Sequence, residues 1–307
     1  SPLLRIRPFS YSVKKNREHE HKRNFMEEYV IGIDLGGTNV RCGLVSSNQV
    51  MDIHSKRINN QASVEEVMED IFSLTSRLIN PSVTAIGIGV PSVVDLEQGI
   101  VYDVQNIPSW KEVPLKKWME EKYQLPVVVN NDANCFALGE YYYGKGRGHR
   151  SMIGLTIGTG LGAGIIIHNK LYAGANCGAG EFGMVEYLDK CYEFYACGQF
   201  FQNVYHTDGE EVFKKAKAGD AEAMRRYGEM GEHLGNAIKT ILYTYDMDLI
   251  IIGGSVRSAF PFYADNMWER IHTLVYPRSA ERLKILLSEL ENCGILGAAA
   301  LYYDSIL

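Results

Sequence analysis

One arrangement constrains this chain more than any other, and it occurs twice: a short apolar strand, a glycine-rich turn, and a second strand straight after it. Tyr29 to Leu35 reads as the first strand, Gly36-Gly37-Thr38 as its turn, and Val40 to Ser46 as the strand that follows. Met152 to Ile157, the glycines of Gly158 to Gly162, and Ala163 to Ile167 repeat the plan. Phosphate sites of the P-loop and Rossmann kinds place a helix directly behind their glycines, so a second strand at that point speaks against both. The two units, Ile31 to Leu44 and Ile153 to Ile167, divide the 307 residues into two similar halves of ordinary domain size. A ligand held between paired turns follows from that symmetry.

The rest of the chain is that of an α/β protein. Val50 to Arg57 is a third strand, joined to the second by a Ser-Asn-Gln turn near Asn48. Ser63 to Ile79 is an amphipathic helix, with Val64, Val67, Ile71, Leu74 and Leu78 at helical spacing. Val83 to Val90 is a strand of the buried kind, and Pro126 to Val129 is another, running into a helix from about Ala133. Past the second unit, Asn169-Lys170 marks a hairpin turn. A long helix spans about Ala221 to Tyr245, the strand Leu249 to Ile252 ends at Gly253-Gly254, and a last helix covers Ile295 to Tyr303.

Composition narrows the partners. A 46% apolar and 22% charged chain has the balance of a soluble globular protein. Its net charge of -6 gives no reason to expect nucleic acid or an anionic membrane, and no apolar run reaches the roughly 20 residues of a membrane helix. The six scattered cysteines follow no secretory pattern and read as reduced thiols of a cytoplasmic protein. The segment from Arg5 to Arg23 is basic, with neither an apolar stripe nor a signal-peptide core, and reads as a flexible tail ahead of a natural start at Met26.

Five clusters can carry chemistry. In Asp34-Leu35-Gly36-Gly37-Thr38-Asn39 the glycines let backbone N–H groups approach a phosphate, Thr38 adds a hydroxyl, and Asp34 can hold a hydrated Mg²⁺. Alone, this would be an ordinary hairpin. The alternating glycines of Ile157 to Gly164 form a second such clamp around Thr159 and Gly160, or else a bulged hairpin. In Val129-Asn130-Asn131-Asp132-Ala133-Asn134, Asn131 or Asp132 can cap the coming helix, or Asp132 can take the proton of an attacking hydroxyl. Glu181, among the glycines of Gly178 to Met184, can offer two oxygens to sugar hydroxyls or be a solvated turn residue. The glycines of Asp248 to Ser255 would let an adenosine lie against backbone, though a plain helix entry looks the same.

These blocks, in this order, resemble the ROK family (repressor, open reading frame, kinase) of the actin-like ATPase superfamily. The pieces are IGIDLGGTNVRCGLV at 31–45, IGIGVPSVVD at 86–95, VNNDANCFALGE at 129–140, TIGTGLGAGI at 156–165, GAGEFGM at 178–184 and DLIIIGGSV at 248–256. Asn106-Ile107-Pro108-Ser109-Trp110 is similar to the family's sugar-contacting Asn followed by an aromatic.

The resemblance implies an actin-like, ribonuclease H-like α/β fold of two domains closing on ATP and a hexose. Residues 1–27 would be the tail, 28–130 with a returning 294–307 one domain, and 131–293 the other. It implies phosphate contacts at Gly36, Gly37, Thr38, Thr159 and Gly160, with Asp34 near the metal and Gly253 and Gly254 on the adenosine side. Sugar contacts would be Asn106, Asn131, Asp132 and Glu181, with Asp132 as the base. The implied activity is a MgATP-dependent kinase acting on a glucose-like hexose at its 6-hydroxyl, in a cytoplasmic homodimer. N-acetylglucosamine, N-acetylmannosamine or allose are alternative substrates. A sugar-sensing transcriptional regulator lacking its DNA-binding domain is the reading from another class, and the roughly 28 residues before the first strand are too few for a helix-turn-helix.

Two departures stand out. Where the family carries a zinc-binding His, this chain has Met184, and of the family's cysteine cluster only Cys191 and Cys197 remain. Phe200, Phe201 and Gln202 fill the rest, with Gln202 in place of a sugar-binding Glu. His206, Glu193 and Asp189 are the other conceivable ligands. A thioether and two thiols at this spacing do not make a tetrahedral zinc site, so no structural zinc is expected, and Met184 with Phe200 and Phe201 is expected to form an apolar staple instead.

Overall fold

The computed structural model of the protein describes residues 28–46 and 49–306. The expected tail, and the Ser47-Asn48 part of the first hairpin turn, lie outside the described residues.

The first half opens with Tyr29–Leu35 (β1), Asn39–Ser46 (β2) and Gln49–Arg57 (β3), followed by Val64–Ser76 (α1) and Val83–Val90 (β4). Ser63 starts α1 with a reciprocal cap: its hydroxyl accepts from Glu66 N at 3.2 Å, and Glu66 Oε2 accepts from Ser63 N at 2.8 Å. The face carrying Val67, Ile71 and Leu74 is buried, as the apolar spacing predicts. Val93–Asp95, Ile100–Tyr102 and Glu112–Val113 (β5 to β7) form a small antiparallel sheet absent from the sequence reading, because its strands are too short to show a period. Leu115–Tyr123 (α2), Val127–Asn131 (β8) and Asp132–Tyr143 (α3) complete this stretch.

The second half repeats the sheet with Met152–Ile157 (β9), Leu161–Ile167 (β10) and Lys170–Leu171 (β11). Between β10 and β11 the left-handed residues are His168 and Asn169, at φ 49° and 70°, so the turn sits one residue earlier than Asn169-Lys170. A short hairpin, Glu186–Tyr187 and Lys190–Cys191 (β12, β13), leads into Tyr192–Ala196 (α4), Phe200–Tyr205 (α5) and Gly209–Lys217 (α6). The expected long helix runs over Ala221–Tyr245 (α7). Leu249–Gly253 (β14), Phe260–Ile271 (α8), Pro277–Arg282 (α9), Lys284–Leu287 (β15) and Cys293–Ile306 (α10) follow.

The sheet orders are β3-β2-β1-β4-β8 and β11-β10-β9-β14-β15. In each, the strand–turn–strand unit is antiparallel and the two strands beyond it are parallel. The duplicated topology is that of the actin-like fold expected from the sequence.

Two helices join the halves. α10 lies directly on the first sheet: a Cβ at Gly87 would fall 1.7 Å from the carbonyl oxygen of Ala298. α3 lies on the second sheet, where a Cβ at Gly164 would fall 2.5 Å from Ala137 Cβ. This corrects one expectation. Gly162 and Gly164 are strand residues of β10 that admit a helix, and the second turn is only Gly158-Thr159-Gly160. α3 and α10 cross at Gly297, whose Cβ would stand 1.7 Å from Cys135 O. Around that crossing Phe136, Leu138, Ile166, Ile251 and Leu301 make one buried cluster.

Candidate active site

The first glycine turn is closed by Gly36 N donating to Asn39 O at 2.9 Å and is tied to the end of β3 by Ile58 N donating to Thr38 O at 2.8 Å. Neither Gly36 nor Gly37 has a positive φ, so glycine serves close approach here rather than a left-handed turn. The approaching group is visible. A Cβ on Gly37 would sit 2.5 Å from Nδ2 of Asn106, a residue carried by the loop between β6 and β7. The expected phosphate turn and the expected sugar contact therefore touch.

The second turn is braced from below. Gly158 N donates to Gly160 O at 3.0 Å, and Gly198 N donates to Gly158 O at 2.7 Å. The Cys197 thiol donates to Thr159 O at 2.9 Å, and Leu161 N donates to Glu193 Oε2 at 2.8 Å. Thr159 itself is exposed. Beside it opens a cavity of about 430 Å³ lined by Gly158, Thr159, Gly198, Gln199, Phe201, Glu210, Phe213, Tyr227, Ser255 and Val256, a size and a mixed apolar and polar wall that suit a nucleoside. The two glycines after β14 divide their tasks. Gly254 is exposed, with φ 83° and Ile157 O only 2.3 Å from where a Cβ would be. Gly253 is buried, with the Phe136 ring 2.4 Å from its Cβ position, so its bareness serves the core.

At the carboxyl end of β8, Asn131 caps α3: its Oδ1 accepts from Ala133 N at 2.8 Å and its Nδ2 donates to Ser92 O at 3.3 Å. Asp132 is the first residue of the helix, and one of its oxygens shares that Ala133 N–H at 2.8 Å. Sheet register brings Asp34 near it. Asp34 pairs with Gly89 of β4, Gly89 pairs with Asn130 of β8, and a Cβ on Gly89 would lie 3.8 Å from Asp132 Cα.

The electrostatics follow from this crowding. The Asp132 side chain is accessible, yet it is recessed among protein atoms that strip water from the carboxylate. Burial first, then the negative charges of Asp34 and Glu181, push its pKa up to about 6, against the opposing Ala133 N–H. Burial raises Asp34 as well, and Arg41 works in the other direction. Glu181 is raised by burial and then by Glu193. It stands on a loop made possible by Gly180, at φ 96° and hard against Ala163 O, 2.3 Å from a would-be Cβ.

Glu193 is the residue that sequence reasoning missed in this role, having been weighed only as a metal ligand. It lies against the second turn, 2.6 Å from the Cβ position of Gly160, and its charge reaches Glu181. A carboxylate on a short helix gave no sequence signal of its own. Gln202 lies exposed on α5, with no hydrogen bond to Asp132, Glu181 or Glu193.

The expected staple does not form as described. Met184 is 52% exposed, whereas Phe200 and Phe201 are buried, with ring centroids 5.3 Å apart, and pack on His233 and Tyr227 respectively. The hairpin β12–β13 is held instead by Tyr187, which stacks on Tyr192 at 4.4 Å and whose hydroxyl meets His233 Nδ1 at 3.1 Å and Asn236 Nδ2 at 2.8 Å. Cys191 and Cys197 stand at opposite ends of α4, and burial pushes the Cys197 thiol up to about 12. Among the described residues no group of three or more His, Cys, Asp or Glu is placed to hold a metal ion. The donor set of this loop does not fit zinc.

Comparison with known proteins adds three findings. The family described as the ROK family matches residues 30–305. A glucokinase of Streptomyces coelicolor is 31% identical over 308 residues, covering 88% of this chain and 96% of that protein, and the xylose repressor of Bacillus subtilis is 26% identical, covering 91% and 78%. Among solved structures, a ROK family glucokinase from Streptomyces griseus in complex with glucose and AMPPNP superposes with a TM-score of 0.74 at 28% identity, over 89% of this chain and 98% of that one.

Proposed function

The chain belongs to the ROK family, and on that footing we propose that it is an ATP-dependent sugar kinase that phosphorylates a glucose-like hexose, at its 6-hydroxyl, with Asp132 as general base. The observation that carries this reading is Asp132 itself: an accessible carboxylate at the strand end, held near pKa 6 by its surroundings and facing the charges of Asp34 and Glu181. A base whose pKa lies just below neutrality is ionised at working pH and still takes a proton readily. The exposed turn residues Gly37, Thr38 and Thr159 and the cavity beside Gly158 support a nucleotide arm on the other side.

In this reading the γ-phosphate of ATP meets the backbone of Gly36, Gly37, Thr38, Thr159 and Gly160, and the adenosine enters the cavity past Gly254. Asn106, Asn131, Glu181 and Glu193 take sugar hydroxyls. Asn131 has its Oδ1 committed to the helix cap, so its amide N–H is what it would offer a sugar. Asp132 accepts the hydroxyl proton as the sugar oxygen attacks phosphorus, the bond from phosphorus to the β,γ-bridging oxygen breaks, and ADP leaves with that electron pair. Asp34, a recessed carboxylate at the end of β1 beside the phosphate turn, suits Mg²⁺, which would neutralise phosphate charge. We assign residues 28–130 with 294–307 to one closing half and 131–293 to the other, in a homodimer that functions without zinc. No helix among the described residues is long and apolar enough to cross a membrane.

The test is a coupled assay of ADP release with MgATP and a panel of hexoses that includes glucose, mannose, allose and the N-acetylated aminosugars. Sugar-dependent turnover supports a kinase and identifies its substrate. Sugar binding by calorimetry with no turnover on any member would overturn the reading in favour of a sugar-sensing regulator.

A further inference from the structure

The loop that carries Glu181 leaves the second half of the molecule and returns to it, yet one of its residues is packed in the core of the first. Cys177 is 3% exposed and belongs to the same buried cluster as Ile33, Val94 and Trp110. Its sulfur is enclosed by polar groups as well. The thiol donates to Asn130 Oδ1 at 3.0 Å and receives Asn134 Nδ2 at 3.6 Å, and the backbone N–H groups of Asn131 and Val94 also face it. Asn130 Oδ1 is the hub, since it accepts Asn131 N at 2.8 Å and Asn134 Nδ2 at 2.8 Å besides the thiol. These partners flank the base on both sides, on the last strand residues and the first turn of α3.

The backbone adds a second, independent sign. Cys177 sits at φ 60° without being glycine, a conformation that a residue with a β-carbon adopts against its preference. Glycine would suit the position better, so the side chain is the part of this residue that the fold uses. Burial raises the thiol above its ordinary value, which keeps the proton on sulfur and the group a donor.

We propose that Cys177 is a positioning residue that clasps the Glu181 loop onto the start of α3, fixing the sugar-binding carboxylate and the base relative to one another. The clasp is made by the sulfur, its hydrogen bond to Asn130 and its seat in the first core. It rests on the kinase reading for its kinetic consequence, though not for its existence.

Two variants separate the clasp from mere packing. Cys177→Gly removes the sulfur while relieving the left-handed backbone, and Cys177→Ser restores a donor of similar size. For Cys177→Gly the Michaelis constant for the hexose should rise about tenfold and kcat should fall severalfold, while the Michaelis constant for ATP stays within about twofold. Cys177→Ser should recover most of both losses. A second measurement needs no substrate. Amide hydrogen exchange of segments 130–136 and 175–183 should quicken together in Cys177→Gly, at a melting temperature no lower than wild type, and slow again in Cys177→Ser. Unchanged exchange in both segments would overturn the clasp, whatever reaction the protein catalyses. Coupled exchange with an unchanged hexose constant would overturn its positioning role. Absence of hexose turnover in the wild type would overturn the kinase reading, and the exchange arm would still decide the clasp.

Discussion

Asp132 sits under two opposed demands. As a helix N-terminal residue it shares the Ala133 N–H and is favoured as a carboxylate, while burial and the charges of Asp34 and Glu181 favour its neutral form more strongly. The balance makes two predictions for Asp132→Asn. Turnover should fall by about 10²–10⁴ with little change in sugar affinity, measured by the coupled assay and by titration; retention of more than about a tenth of the rate would remove Asp132 as base. Wild-type kcat/KM should in turn decline as pH falls through about 6. Stability should run the other way. A carboxyl raised from 3.8 to about 6 binds a proton in the folded chain that the unfolded chain has released, so its contribution is full below about pH 4 and is lost as pH rises through about 6. Asp132→Asn should therefore melt higher than wild type at pH 7.5 and no higher at pH 4.

Turns and helices fail differently from single groups. At the first glycine turn, the contact between Gly37 and Asn106 changes what a side chain there would do. Gly37→Val would block phosphate approach and also displace Asn106 Nδ2, 2.5 Å from the new Cβ. Both Michaelis constants should therefore rise, by tenfold or more for ATP and severalfold for the hexose, with the melting temperature nearly kept. An unchanged hexose constant would show that Asn106 does not bind sugar. At the helix crossing, Gly297→Val has no room, because Cys135 O stands 1.7 Å from the Cβ position. Separating α3 from α10 should cost about 1–3 kcal/mol or more, read from urea denaturation.

On the scale of the whole molecule, the two halves meet through α3 and α10, while the carboxylate cluster draws on both: Asp34 from the first sheet, Asp132 from the start of α3 at the junction, Glu181 and Glu193 from beyond the second unit. Ligands that bridge them should close the molecule. Small-angle scattering should show a smaller radius of gyration with hexose and a non-hydrolysable ATP analogue together than with neither, and an unchanged radius would argue against closure. Metal content is also a property of the whole chain. Elemental analysis of untagged protein should find no stoichiometric zinc, and activity after exhaustive chelation should return with magnesium alone. Activity that only zinc restores would overturn the assignment.

Local chemistry is what the sequence determined without help. A strand, a glycine turn and a second strand are each set by neighbours in the chain, so β1, β2, β9 and β10 and the duplicated plan were legible, as were α1 from the helical spacing of its apolar residues and the long helix α7. Among the candidate residues, Asp34 and Asp132 stand out in the sequence as polar groups where apolar runs end, and Glu181 as a carboxylate set among glycines. The tertiary structure decided whatever depends on which bare or polar surface meets which neighbour. It gave Gly162, Gly164 and Gly253 to packing, set Asn106 on Gly37, and brought Glu193 to the second turn while leaving Gln202 exposed. It also placed Cys177 of one half in the core of the other. A glycine in a sequence states only that a side chain is absent, and whether a phosphate, a helix or an aromatic ring fills that space is settled by contacts between residues far apart in the chain.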